Sequence, residues 1–96
     1  MPQTITMRVQ KTITLAANDL CTVMLNVDAS PHLAIKNNGP GVCWLSFDPS
    51  VSAAVNNVDC FNLKTGETFA TDQLIRGMNM TLNADTASTI VTLVVL

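Results

Sequence analysis

The chain is predicted to be all-β, an antiparallel β-sandwich or jelly-roll-like barrel of about eight short strands. Three observations carry that expectation. Apolar residues recur at every second position in one short segment after another. Gly, Pro, Asn and Asp punctuate these segments about every 8–12 residues, as turns do. No segment reads as a convincing helix, and a single helical turn at 52–55 is the most that the pattern allows.

The first segment, 3–15, places Ile5, Met7, Val9, Ile13 and Leu15 on one face and Thr4, Thr6, Arg8, Gln10, Thr12 and Thr14 on the other. Lys11 interrupts the apolar face and is expected at a bulge or where one strand becomes two. Ala16-Ala17-Asn18-Asp19 reads as a turn, and Val23, Leu25 and Val27 alternate in a second strand, 21–27. Asp28-Ala29-Ser30-Pro31 breaks the pattern, because proline cannot donate to a ladder. A short strand at 32–36 leads to the strongest turn signal, Asn37-Asn38-Gly39-Pro40-Gly41, in which Asn and Gly tolerate positive φ.

Val42-Cys43-Trp44-Leu45-Ser46-Phe47 is apolar on both faces, which marks a strand in mid-sheet with the core on one side and a cover on the other. Residues 49–59 form the longest irregular stretch. Strand pattern resumes at 60–64, and Thr65-Gly66 is expected to make a tight hairpin turn into 67–71. Residues 72–77 form a connection, after which Met78, Met80 and Leu82 alternate. Beyond a turn at Asn83-Ala84-Asp85-Thr86-Ala87 comes the β-branched run 89–96. An exposed edge of that composition invites aggregation, so it is expected as a central strand or in a subunit contact.

The 96 residues make one domain, 1–96. Area scaling gives roughly 5,300 Å² of folded surface and burial of about 64% of the unfolded chain's area, enough for two sheets face to face but not for a deep catalytic cleft. Charged residues are only 12%, about half the usual share, while 48% are apolar without any run long enough to span a membrane. So small a domain cannot hide that much apolar surface, and part of it is expected to be covered by copies of the chain or by a partner. Five Lys and Arg against seven Asp and Glu give a net charge of −2 with no basic stripe, which argues against nucleic acid as a partner. No basic region followed by an apolar run opens the chain, so it is expected to be made and used from the cytoplasm, away from membranes.

Catalytic patterns do not emerge. Cys21, Cys43 and Cys60 are odd in number and widely spaced, without a Cys-x-x-Cys pair for zinc, and read as buried small apolar residues. His32 is the single histidine, and no local signature joins it to a cysteine as a nucleophilic pair. Asp19, Asp28, Asp48, Asp59, Asp72 and Asp85 nearly all fall at expected turns, where a carboxylate accepts turn amides; calcium between Asp48 and Asp59 is the competing use. Asn37-Asn38-Gly39-Pro40-Gly41 precedes no helix that could aim a dipole at a phosphate, and Asn79-Met80-Thr81 is a chance glycosylation acceptor without a secretory route. Trp44 reads as a core residue more readily than as a sugar-stacking platform. Neither a metal nor another cofactor is expected.

The stretch from Ile35 through Asn37, Gly39, Val42, Leu45 and Phe47, with Leu63-Lys64-Thr65-Gly66-Glu67-Thr68-Phe69 and Leu82-Asn83-Ala84-Asp85-Thr86-Ala87, resembles small virion proteins of tailed bacteriophages. These are β-sandwich capsid decoration (cement) proteins and related head accessory proteins, and the likeness spans residues 33–96. It implies a non-enzymatic structural protein that stabilises a phage head within the virion. Its implied partners are itself, as a homotrimer, and a major capsid protein. The residues expected to make these contacts are Ile5, Met7 and Val9 in the N-terminal segment and Val51, Val55, Asn56 and Asn57 in the long loop, because termini and long loops commonly meet neighbours. Met7, Met24, Met78 and Met80 suit an interface core or a domain core alike. Met7→Asp is expected to weaken assembly and leave the isolated fold intact. A β-sandwich module that binds a carbohydrate or host surface through Trp44 and the 49–59 loop is the alternative.

Overall fold

Alternation becomes nine strands in a computed structural model that describes residues 3–25, 32–48, 50–71 and 79–95, with the Met7 side chain outside that description. They are β1 (Gln3–Met7), β2 (Gln10–Leu15), β3 (Cys21–Leu25), β4 (Leu33–Gly39), β5 (Cys43–Ser46), β6 (Phe61–Leu63), β7 (Thr68–Thr71), β8 (Asn79–Ala84) and β9 (Thr89–Val95). The break expected at 28–31, the connection at 72–77, and the placement of Val27, Met78 and Leu96 lie outside the described residues. Two sheets form, one in the order β1-β3-β8-β5-β6 and one in the order β2-β9-β4-β7. All pairs are antiparallel except β1 with β3. The protein is an all-β sandwich.

Period-two alternation places the core between the sheets. Cys21, Val23, Leu25, Met80, Leu82, Ala84, Cys43 and Leu45 line one inner face; Ile13, Leu15, Val91, Leu93, Leu33 and Ile35 line the other. Each fully buried Leu, Ile or Val contributes about 1.5–3 kcal/mol by leaving water. The folded surface of 5315 Å² matches what the chain's mass leads one to expect of a compact single unit.

Two expectations about connectivity change. The N-terminal segment becomes two strands at Arg8 and Val9 rather than at Lys11, and there the chain crosses from the edge of one sheet to the edge of the other. Ile5 packs on the core from β1 and Ile13 and Leu15 from β2, while Lys11 stays exposed. The hairpin expected at Thr65-Gly66 is likewise a corner between sheets, since β6 pairs with β5 and β7 with β4. Asn37 takes the backbone partners a hairpin would use, donating to Glu67 O (3.0 Å) and accepting from Gly66 N (2.7 Å). Among consecutive strands, only β5 and β6 share a sheet.

Asn37 is also where one end of the sandwich is tied. It continues the inward series Leu33, Ile35 and is completely buried. Its Nδ2 donates to Gly41 O and Leu63 O, both at 2.8 Å, and its Oδ1 accepts from Gly39 N at 2.8 Å. A buried amide with every atom partnered stabilises; the same group unpartnered would oppose folding. Next to it Gly41 N donates to Thr89 Oγ1 (3.2 Å), which donates in turn to Thr86 O (2.7 Å), and Val42 N donates to Asp85 Oδ1 (2.9 Å). Packing there admits no side chain at Gly41, where a Cβ would meet Asp85 Oδ1 and come within 2.6 Å of the Thr86 Cβ. Gly39 has φ +84° and backs onto Thr65. Segments 35–47, 63–69 and 82–89 thus meet in one hydrogen-bonded knot.

Candidate interaction surface

The two sheets differ in what covers their outer faces. Across the five-stranded sheet runs the irregular stretch 50–60, the one long connection that stays within a sheet. Ala53 fastens it: its N donates to Thr81 Oγ1 (2.9 Å) and its O accepts from Asn83 Nδ2 (3.1 Å). Thr81 and Asn83 stand beside Ser46 and Trp44 in the β5–β8 register, so this strap lies over the strand that is apolar on both faces. Every residue of β5 is buried, and Trp44 is 7% exposed. The tryptophan offers no platform to a sugar.

The strap holds its own shape with polar side chains. Asp48 Oδ1 accepts from Ser50 N (2.9 Å) and Ser50 Oγ (2.8 Å), and these bonds hold its carboxyl below the ordinary aspartate range. Asn57 Oδ1 accepts from Asp59 N (2.9 Å), and Asn57 O accepts from Cys60 N (3.1 Å). Of the loop residues expected at an interface, Asn56 is exposed with φ 64°, Val51 and Val55 are half-buried, and Asn57 is half-buried with its N, O and Oδ1 bonded within the loop. Val58 is the large apolar side chain that loop leaves in solvent, 95% exposed.

From the N-terminal set, Ile5 is half-buried and packs against the core, whereas Val9 is 66% exposed at the corner between the sheets. Met7 lies on β1 opposite Leu25, with its side chain outside the described residues.

Among the described residues, none lies over the outer face of the four-stranded sheet. Thr12 and Thr14 on β2, Ile90 and Thr92 on β9, and Lys36 and Asn38 on β4 point out of it. Lys36 is the one charge on the outward positions of these four strands. Hydroxyls and amides link neighbouring strands across the face, Asn38 Nδ2 donating to Thr92 Oγ1 (3.1 Å) and Thr12 Oγ1 lying 3.4 Å from Thr92 Oγ1. The residues were missed in sequence because outward parity is visible there but adjacency between strands some 80 positions apart is not.

A second apolar site lies at one open side of the sandwich, where the edge strands β6 and β7 face each other. Phe69 stacks at tilted angles on Phe61 (5.2 Å between centroids) and Phe47 (6.0 Å). Phe61 leaves 57% of its surface in solvent. Offset pairs of this kind add about 0.5–1.5 kcal/mol each beyond burial.

The thiols are buried and free of disulfides. Burial pushes Cys21 up and Cys43 up to about 12, so neither is a nucleophile at neutral pH. Among the described residues no three His, Cys, Asp or Glu side chains gather as a metal cluster would require, and no described helix is long and apolar enough to cross a membrane.

No family model matches the chain, and no curated protein matches it in sequence. Among solved structures it is similar to PliG of Aeromonas hydrophila, a periplasmic lysozyme inhibitor of g-type lysozyme, with TM-score 0.54 and 10% identity over 100% of both chains. What the two share is the fold. The pre-peptidase C-terminal domain of a collagenase from Bacillus anthracis aligns over 100% of this chain and 95% of its own, with TM-score 0.42 and 15% identity.

Proposed function

We propose that this protein is a non-enzymatic structural component that works by contact in a repeated assembly, specifically a capsid decoration protein of a tailed bacteriophage. On this reading it assembles in the host cytoplasm onto the virion and touches both further copies of itself, as a homotrimer, and a major capsid protein. The observation that carries the reading is the bare outer face of the four-stranded sheet. A flat face with one charge loses little hydration when covered, and its Thr and Asn side chains can hydrogen-bond to a neighbour. The scarcity of charge in the whole chain and the resemblance over 33–96 support the same reading.

Co-sedimentation with expanded phage heads tests it, beside light scattering of the free protein. The expected result is saturable binding in many copies per head, lost in Ile90→Lys and Thr92→Asp variants that keep the wild-type melting temperature. A protein that stays in the supernatant at saturating concentration, or one whose binding ignores both substitutions, would overturn the reading or the face.

A second reading is favoured by one observation, the exposed Phe61 ring beside the strap. It is a module that binds a host surface or carbohydrate at the β6–β7 side, with Phe61 rather than the buried Trp44 as its contact. Retention on a glycan array that Phe61→Ala abolishes would favour it over the assembly reading.

A further inference from the structure

We propose that Asn38-Gly39 is a chemical modification site, a succinimide-forming pair that the fold keeps silent and that unfolding releases. Asn followed by Gly is the dipeptide in which the next amide nitrogen most easily reaches the side-chain carbonyl carbon, because glycine has no side chain to obstruct it. In that step the Gly39 amide nitrogen loses its proton to solvent base and bonds to Asn38 Cγ. The Cγ–Nδ2 bond breaks, and the nitrogen leaves as ammonia. Water then opens the imide at one carbonyl or the other, giving aspartate or isoaspartate. The sum is Asn38 plus water to an acid plus ammonia, with no oxidant or cofactor.

Position 38 has the exposure this chemistry needs, since Asn38 lies on the bare sheet face. The geometry around it is set against the reaction. Asn37 and Asn38 point to opposite sides of β4, one into the core and one to solvent. Gly39 N donates inward, to Asn37 Oδ1 at 2.8 Å, so the nucleophile's proton is held on the side of the sheet away from its electrophile. The leaving amide is held as well, Asn38 Nδ2 donating to Thr92 Oγ1 at 3.1 Å on the neighbouring strand. Asn38 is the extra residue of a bulge, with Asn37 opposite Val91 and Gly39 opposite Ile90, so the ladder does not pair its backbone and the restraint rests on the two hydrogen bonds either side of it.

The product has a structural consequence. Isoaspartate sends the main chain through the former side chain and inserts one carbon between Asn37 and Gly39. Gly39 N and Gly41 O then cannot both reach the Asn37 amide, and the knot does not close. Time spent unfolded is converted into a permanent loss of folding competence.

The test holds the protein in buffer and in concentrated urea at mildly alkaline pH, follows Asn38 by peptide mass analysis with isoaspartate detection, and measures refolded yield after removal of urea. In the folded chain the modification is expected to be at least about tenfold slower than in urea, because it waits on local opening. Refolded yield is expected to fall with time in urea for the wild type and to hold for Asn38→Thr, which keeps an exposed polar side chain on the same face. Thr92→Val, which frees the Asn38 amide, is expected to raise the folded-state rate. Equal rates at Asn38 in buffer and in urea would overturn the protection. An Asn38→Thr protein that loses yield as fast as the wild type would overturn the consequence.

Discussion

The outer faces of the two sheets are made of similar residues, Thr and Asn between scattered apolar side chains, yet they end in opposite states. On the five-stranded sheet Thr81 and Asn83 hold the main chain of Ala53, and the strap they hold seals Trp44 from water. On the four-stranded sheet Thr12, Asn38 and Thr92 bond only to one another, and nothing in the described chain lies over them. The difference teaches that similar hydroxyl-rich sheet faces can meet different surroundings: one receives a segment of its own chain, and over the other no described residue lies.

Substitutions break or sharpen this contrast in a graded way. The largest effect is expected at neither face but between them. Asn37→Ala strands two buried carbonyls and a buried amide, and is expected to destabilise the fold by about 3–5 kcal/mol in chemical denaturation. At the strapped face Asn83→Leu removes the donor to Ala53 O and the acceptor for Ala84 N, with an expected loss of about 1–3 kcal/mol and a red shift of the single tryptophan's fluorescence as the strap lifts. If stability falls while the emission stays put, the strap is held by something other than Asn83.

Under the strapped sheet, Cys43 sets a pH limit. Its unfolded thiol ionises near 9.0 while the buried one keeps its proton up to about 12. Stability is therefore full below 9.0 and falls as pH rises toward 12, by about 1.4 kcal/mol per unit. Urea titrations on either side of pH 9 check it, with Cys43→Ala removing that part of the slope. The smallest expected effect is at the bare face, where Thr12→Val and Thr92→Val change stability by no more than about 0.5 kcal/mol. Melting that drops well beyond this would mean that the face is part of the fold's own bracing rather than a surface held for neighbours.

Much of this architecture was legible. Alternation located the strands, the doubly apolar 42–47 segment announced its cover, and the β-branched ending is the central strand β9, paired on both sides. What stayed hidden follows from how alternation works. It reports which residues point inward but not toward which sheet, and inner faces of opposed sheets look alike in sequence. Thr65-Gly66 therefore read as a hairpin although its flanking strands never pair, and the break within 3–15 read as lying at Lys11 although the corner falls at Arg8 and Val9. Asn37 could have been found: it occupies the inward parity of Leu33 and Ile35, and a polar residue there announces a buried network. The bare face could not, because its rows assemble only once β2, β9 and β4 are side by side.

The position of β9 has a consequence for synthesis. It supplies the middle of the four-stranded sheet, with β2 on one side and β4 on the other, yet it follows every other described strand in the chain. Until β9 leaves the ribosome, β2 has no partner in its sheet and the inner apolar face of β4 lacks its neighbour. Until then the nascent chain stays open and aggregation-prone. Removing β9 would therefore not merely trim the sandwich but would take out the strand that joins β2 to β4.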